Sequence, residues 1–261
     1  MKLPILLIAS LAAALTLQAA ATYKKSDRLR PRPTVVTPAT ADKPPSDAII
    51  LFDGTNLDHW INFNPKNPDE ELPARWIITG NYAEANRGQL QTREKFADVH
   101  LHLEYRCSPE ELTMPVPAGQ KPRIDQKRGN SGIEFGDHPE IQLLDSYEND
   151  TYPDGQAAAI YGYFPPLVNA CLPPGEWQTL DIYYTAPRQG AAATYTIIHN
   201  NIPVHIAAPV PGDETSCRIR IRPHGGHLRY RNIWIRPLHA YDENANKPLP
   251  ENARTTDPFK K

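Results

Sequence analysis

The chain has 261 residues, with 28 Lys and Arg against 30 Asp and Glu and a formal net charge of −2. A balance this close to zero argues against a polyanion-binding surface, so neither nucleic acid nor an anionic membrane is expected as partner. Cys107, Cys171 and Cys217 are far apart and lack metal-ligand spacing; in an oxidising compartment two of them can pair, and the sequence does not say which.

Residues 1–21 open with a positive Met1-Lys2, run through an apolar stretch interrupted by Pro4, Ser10 and Thr16, and end in Ala19-Ala20-Ala21. That pattern is a secretory signal peptide, too short for a membrane span. The protein is therefore expected to be exported, to the periplasm or outside the cell if the source is bacterial. Residues 22–47, rich in Pro, Thr, Lys and Arg without hydrophobic periodicity, read as a disordered linker. The folded domain is expected over 48–238, with a polar tail at 239–261.

Strands are expected at 48–52, 76–78, 88–92 and 99–106. In the last of these Val99, Leu101, Leu103 and Tyr105 face one way, and His100, His102, Glu104 and Arg106 the other. Residues 108–127, Pro- and charge-rich, read as a surface loop. A hairpin follows over 128–147, its two strands joined by Gly136-Asp137-His138-Pro139. Residues 149–174 are long and punctuated by Pro and Gly, but Tyr152, Tyr161, Tyr163 and Phe164 argue that they pack. Strands resume at 177–184, 194–199, 204–207, 217–222 and 228–235, with a turn at Asn200-Asn201. Helical periodicity is missing outside the signal, so the domain is expected to be all-β, a sandwich or barrel.

The hairpin carries the most chemistry. Glu140, Gln142 and Leu144 share one face of its second strand, Ile141 and Leu143 the other. A carboxylate and an amide two residues apart on an otherwise apolar strand cost free energy if simply buried, and are better explained as the floor of a polar cleft. A solvated sheet face gives the same pattern.

Several motifs occur in a fixed order. Leu51-Phe52-Asp53-Gly54-Thr55-Asn56-Leu57-Asp58-His59-Trp60 comes first, then Asn130-Ser131-Gly132-Ile133, Glu140-Ile141-Gln142-Leu143-Leu144-Asp145-Ser146 and Ile160-Tyr161-Gly162. Pro165-Pro166, Asn169-Ala170, Pro174-Gly175-Glu176-Trp177-Gln178 and Arg231-Asn232-Ile233-Trp234-Ile235 follow. Together they resemble the 3-keto-disaccharide hydrolase family over about residues 48–238. The resemblance implies a concanavalin A-like jelly roll of two antiparallel sheets with a cleft on its concave face. It also implies exported chemistry on sugars oxidised at C3. The sequence departs from the pattern at Ile221-Arg222-Pro223-His224-Gly225-Gly226, where relatives carry Gln and Asp before the His, and at Glu134, a place more often aromatic or apolar.

A ketone at C3 acidifies the C2 proton, because the carbanion delocalises onto the ketone oxygen as an enolate. A base at C2 and an acid at the glycosidic oxygen then expel the C1 substituent, and water adds across the enone. Such a site needs a base, a proton donor and a cation for the enolate. Glu140 and His224 are the expected proton-transfer residues. Asn130 and Gln142 are expected on sugar hydroxyls and Arg128 or Arg222 at the enolate, with Asp145 and Tyr161 also as substrate contacts. Plain readings stand beside these: an ion pair for Glu140, a turn for Asp145 and His224, core packing for Tyr161 and Trp177, and backbone freedom for Gly132.

No cofactor is expected. His100, His102 and Glu104 have a chelating spacing, but a solvated face on an edge strand gives the same pattern, and no Asp/Asn-rich loop suggests calcium. Two other functions compete. A retaining glycosidase would need carboxyl groups roughly 5–5.5 Å apart, whereas Asp145, even with a bulge to put it on the same face, lies about four steps, or about 14 Å of backbone, from Glu140. A non-catalytic carbohydrate-binding module would need a cleft but no proton-transfer pair.

Overall fold

The structure, a computed structural model, describes residues 35–40, 43–85, 88–108, 125–225 and 228–238. The expected signal peptide, most of the linker, most of the 108–127 loop and the tail lie outside them. The strands belong to the unit Val36–Ala240.

Two antiparallel sheets make up a jelly roll. The larger runs in the order β12 (Ile202–Val210), β11 (Ala193–His199), β10 (Gln178–Thr185), β7 (Val99–Cys107), β14 (Leu228–Pro237), β5 (Tyr82–Glu84), β4 (Ile77–Thr79), with β1 (Ile49–Phe52) also paired to β14. The smaller runs β3 (Leu72–Pro73), β2 (Trp60–Asn62), β6 (Leu90–Thr92), β13 (Ile219–Pro223), β8 (Ser131–Phe135), β9 (Ile141–Leu143). Helix among the described residues is limited to single turns at Asp125–Lys127 and Pro153–Gly155.

Period-two alternation fixes which side of each strand meets the other sheet. Val99, Leu101, Leu103 and Tyr105 of β7 are buried in the core with Leu180, Ile182 and Tyr184 of β10, and with Ile133, Ile141 and Leu143 of the smaller sheet. Burying each such side chain contributes roughly 1.5–3 kcal/mol. A one-residue slip would turn them all outward, so the register is strongly specified. β7 is a central strand, between β10 and β14, which corrects the edge-strand reading of its His-bearing face.

Three local features depart from the sequence pattern. β9 stops at Leu143 although the hairpin was expected to reach Tyr147, because Asp145 N–H donates to the Arg128 carbonyl (3.0 Å) and the Asp145 carboxylate accepts from Tyr147 N–H (3.1 Å). β14 carries a bulge between Arg231 and Trp234, with Asn232 at φ 47°, so alternation slips there. The described end of the expected linker is ordered by backbone bonds from Ser46 to Thr37 (3.1 Å) and from Thr40 to Lys43 (2.9 Å). The opening motif proves structural: Asp53 accepts from the Thr55 hydroxyl (2.6 Å), and the Trp60 indole donates to the Leu51 carbonyl (2.8 Å). Cys171 and Cys217 are free thiols.

Candidate active site

β13, β8 and β9 are neighbours in the smaller sheet, and their registers set Arg222 opposite Gly132 and Gly132 opposite Gln142, with Arg220 opposite Glu134. The outward residues of the β8–β9 hairpin and of β13, distant from it in sequence, therefore converge. Gly132 is essential to this, though not for backbone freedom as the plain reading had it. Its φ is not positive; a Cβ at this position would instead fall on the Glu140 carboxyl. The glycine is the space into which Glu140 folds.

Glu140 sits at the centre. His224 Nε2 lies 3.3 Å from each of its carboxylate oxygens, and Arg222 Nη1 lies 3.7 Å from one of them. His224 comes from the turn after β13, held by its own N–H donating to the Asn130 carbonyl at 3.0 Å. The same Arg222 nitrogen donates to Glu134 Oε1 at 2.9 Å, and Arg220 Nη1 pairs with Glu134 Oε2 at 3.0 Å. Glu134 thus holds two guanidinium groups and fixes where Arg222 stands. Glu134, Glu140, Arg222 and His224 line, with Asn130, Gln142 and Tyr161, a cleft of about 340 Å³.

The amides behave differently from expectation. Gln142 is almost fully buried, and its Nε2 donates to Asn130 Oδ1 (3.0 Å) and Gln126 Oε1 (3.1 Å). Asn130 Nδ2 in turn donates to the Gln126 carbonyl at 2.8 Å. Their donors are committed to one another, so they brace the floor and leave acceptor oxygens for a ligand. Gln126 completes the brace, its Nε2 donating to Gly155 O (2.7 Å) and Thr151 Oγ1 (2.9 Å). Tyr161 is neither core nor floor. It is partly exposed at the cleft, positioned by its N–H on the Glu140 carbonyl (2.8 Å), and its hydroxyl meets that of Tyr152 at 2.7 Å.

Arg128 and Asp145, expected as substrate contacts, are elsewhere. They form a buried ion pair, with Arg128 Nε and Nη2 donating to Asp145 Oδ2 at 3.0 and 2.5 Å and Nη2 also reaching the Tyr147 carbonyl at 3.2 Å. The strand stops at Leu143, and Asp145 turns inward beneath it. Removing one partner of such a pair costs about 3–5 kcal/mol, so its role is architectural. Glu134, Arg220 and Gln126 were missed as site residues. Glu134 had shown only as a departure from the family's pattern, and Gln126 carried no signal in a charge-rich stretch.

His100, His102 and Glu104, weighed as metal ligands, are engaged otherwise. Both imidazoles bond Asp181, and Glu104 accepts from Arg231 and Asn232.

Comparison with known families decides the relationship. Residues 47–236 match the 3-keto-alpha-glucoside-1,2-lyase-like domain, the 3-keto-disaccharide hydrolase family. The chain belongs to this family. Among solved structures it is similar to a candidate glycosyl hydrolase from Parabacteroides distasonis ATCC 8503, at 33% identity and TM-score 0.68, over 83% of this chain and 96% of that one. A second from the same organism shares the fold at 13% identity and TM-score 0.55, over 74% of this chain and 94% of that one. No curated protein matches. Among the described residues no helix is long and apolar enough to cross a membrane.

Proposed function

We propose that this protein cleaves 3-keto-glycosides by proton abstraction at C2, elimination of the C1 substituent and hydration of the resulting enone. The carrying observation is the Glu140–His224 contact, open at 3.3 Å to both carboxylate oxygens, beside the Arg222 guanidinium. Glu140, held on the floor over Gly132, takes the C2 proton. Arg222 faces the enolate oxygen that develops at C3, and Glu134 keeps it there. His224, more exposed at the mouth, protonates the glycosidic oxygen as the C1–O bond breaks. Water then adds at C1 and a proton returns to C2, giving the free 3-keto sugar. The signal-like pattern of residues 1–21 supports export of this chemistry.

A retaining-glycosidase reading has one point in its favour: Glu134 and Glu140 share a single guanidinium nitrogen. Both oxygens of Glu134, however, lie within 3.0 Å of arginine nitrogens, so its carboxylate is turned to Arg220 and Arg222 and not to a ligand. The Glu140–Asp145 pairing fails because Asp145 is committed to Arg128.

The test is incubation with a 3-keto-disaccharide in deuterated water beside an enzyme-free control, followed by mass spectrometry. Elimination and hydration release both sugars, with deuterium at C2 of the keto product above the control. Release without deuterium would point to displacement at C1. Sugar binding without cleavage would leave a binding module.

A further inference from the structure

The opposite outer face of the sandwich, that of the larger sheet, holds a second and larger cleft of about 780 Å³, inside the range of roughly 300–1,000 Å³ typical of small-molecule sites. Its floor is built from β7, β10 and β14. Its far wall is the Pro-rich segment ahead of β1, through Val36, Pro38, Thr40 and Pro45. A merely solvated sheet face would carry mobile side chains. Here His100, Glu104 and Trp234 are 8%, 7% and 4% exposed, and the polar groups are locked.

The lock is specific. His100 Nε2 and His102 Nδ1 both lie 2.8 Å from Asp181 Oδ1. A carboxylate only accepts, so the protons sit on those two nitrogens, and the second oxygen of Asp181 is engaged by neither ring. His102 stacks on Trp234 with centroids 4.8 Å apart, and His100 on Tyr183 at 4.2 Å. The β14 bulge turns Asn232 outward, where its Nδ2 donates to Glu104 Oε1 at 2.8 Å. A left-handed asparagine in mid-strand is a local conformational cost, which a bulge that re-aims a side chain toward a site explains. Trp177, partly exposed, rests on guanidinium groups rising from β14 and β7, with Arg231 at 4.1 Å and Arg106 at 4.7 Å from its ring centroid.

The charges decide the ligand class. The ionic side chains that line this cleft are engaged: Arg231 with Glu104 at 2.7 Å, Arg236 with the neighbouring Asp47 at 2.6 and 2.8 Å, and Asp181 through one oxygen with two imidazoles. An anionic ligand would have to break an arginine pair, and a cationic one would have to compete for Glu104 or rely on the single Asp181 oxygen that neither imidazole holds. A neutral polyhydroxylated ligand would not: its hydroxyls meet fixed acceptors and its C–H faces meet Trp177 and Tyr183. We infer that this cleft is a second, non-catalytic binding site for a neutral oligosaccharide, on the opposite side of the sandwich from Glu140. It would hold glycan while the other face works on keto-glycosides, but it does not depend on that reading.

The test uses the full protein carrying Glu140→Gln, titrated calorimetrically with maltohexaose, cellohexaose and laminarihexaose, with Trp177→Ala and Asp181→Asn added singly. The inference expects at least one hexasaccharide to bind, and each added substitution to weaken it tenfold or more. In the Glu140 background without Gln, those two substitutions should change turnover of a short 3-keto-glycoside by less than twofold. Absence of binding to all three sugars would overturn the inference. So would binding that survives both substitutions but is lost on Tyr161→Ala in the other cleft. If the 3-keto chemistry fails while Trp177-dependent binding persists, only the catalytic reading falls.

Discussion

The two outer faces of this sandwich use the same residue types, a carboxylate, histidines and arginines, at different distances. On the smaller sheet Glu140 meets His224 at 3.3 Å and Arg222 at 3.7 Å, contacts too long for strong hydrogen bonds, which a ligand can displace. On the larger sheet Asp181 is gripped by two imidazoles at 2.8 Å and Glu104 by Arg231 at 2.7 Å. Burial would raise the Asp181 carboxyl pKa, but the bonds from His100 and His102 outweigh it and hold it at about 2. A carboxylate that acidic is a poor proton acceptor near neutrality. The proposed function asks proton exchange of the loosely held carboxylate, whereas the tightly held one is fitted to orient its neighbours and be bonded to.

Three substitutions probe that contrast. Glu140→Gln carries the largest effect: turnover of a 3-keto-glycoside should fall by about 10²–10⁴-fold, the usual share of a general acid–base residue, while the unfolding midpoint stays where it was. Turnover at the native rate would remove Glu140 from the chemistry. Gly132→Ala comes next. It leaves the backbone unstrained but pushes the Glu140 carboxyl from its seat, and displacement of a catalytic group by about 1 Å costs on the order of 10²-fold. Steady-state kinetics should show the loss chiefly in kcat; an unchanged kcat would mean that Glu140 acts from another position.

Asp181→Asn should be small in catalysis and visible in stability. The folded pKa of Asp181, about 2 against an ordinary value of 3.8, lies below the unfolded one. Its contribution is therefore fully present above about pH 4 and lost as pH falls towards 2. The difference amounts to about 2 kcal/mol. Urea unfolding of the native protein and the Asn variant across that window should show the gap closing at the acid end. A gap that stays constant down to pH 2 would mean that the loss has another cause.

Much of this was legible in the chain. The alternation from Val99 to Arg106 gave the two faces of β7 correctly, and the ordered motifs gave the family and hence the fold. Glu140, Gln142, Asn130, Tyr161, Arg222 and His224 do line one cleft. Arg128 and Asp145 were misplaced because their position depends on β9 ending at Leu143, and that end is set by a bond between backbone atoms 17 residues apart. Glu134 was read as an anomaly because its explanation, Arg220 and Arg222, lies on a strand more than eighty residues downstream.

What the sequence determines by itself is what depends on neighbours in the chain: which residues alternate inward, where turns form, and therefore an all-β sandwich. Which polar residues meet was decided by the tertiary structure. The register of β8 against β9 and β13 brought Glu140 to His224, 84 residues away, and left an empty Gly132 for the carboxyl to fill. Strand pairing adds up local choices over long separations, so a contact between two side chains on different strands is fixed only once every intervening turn and strand end is in place.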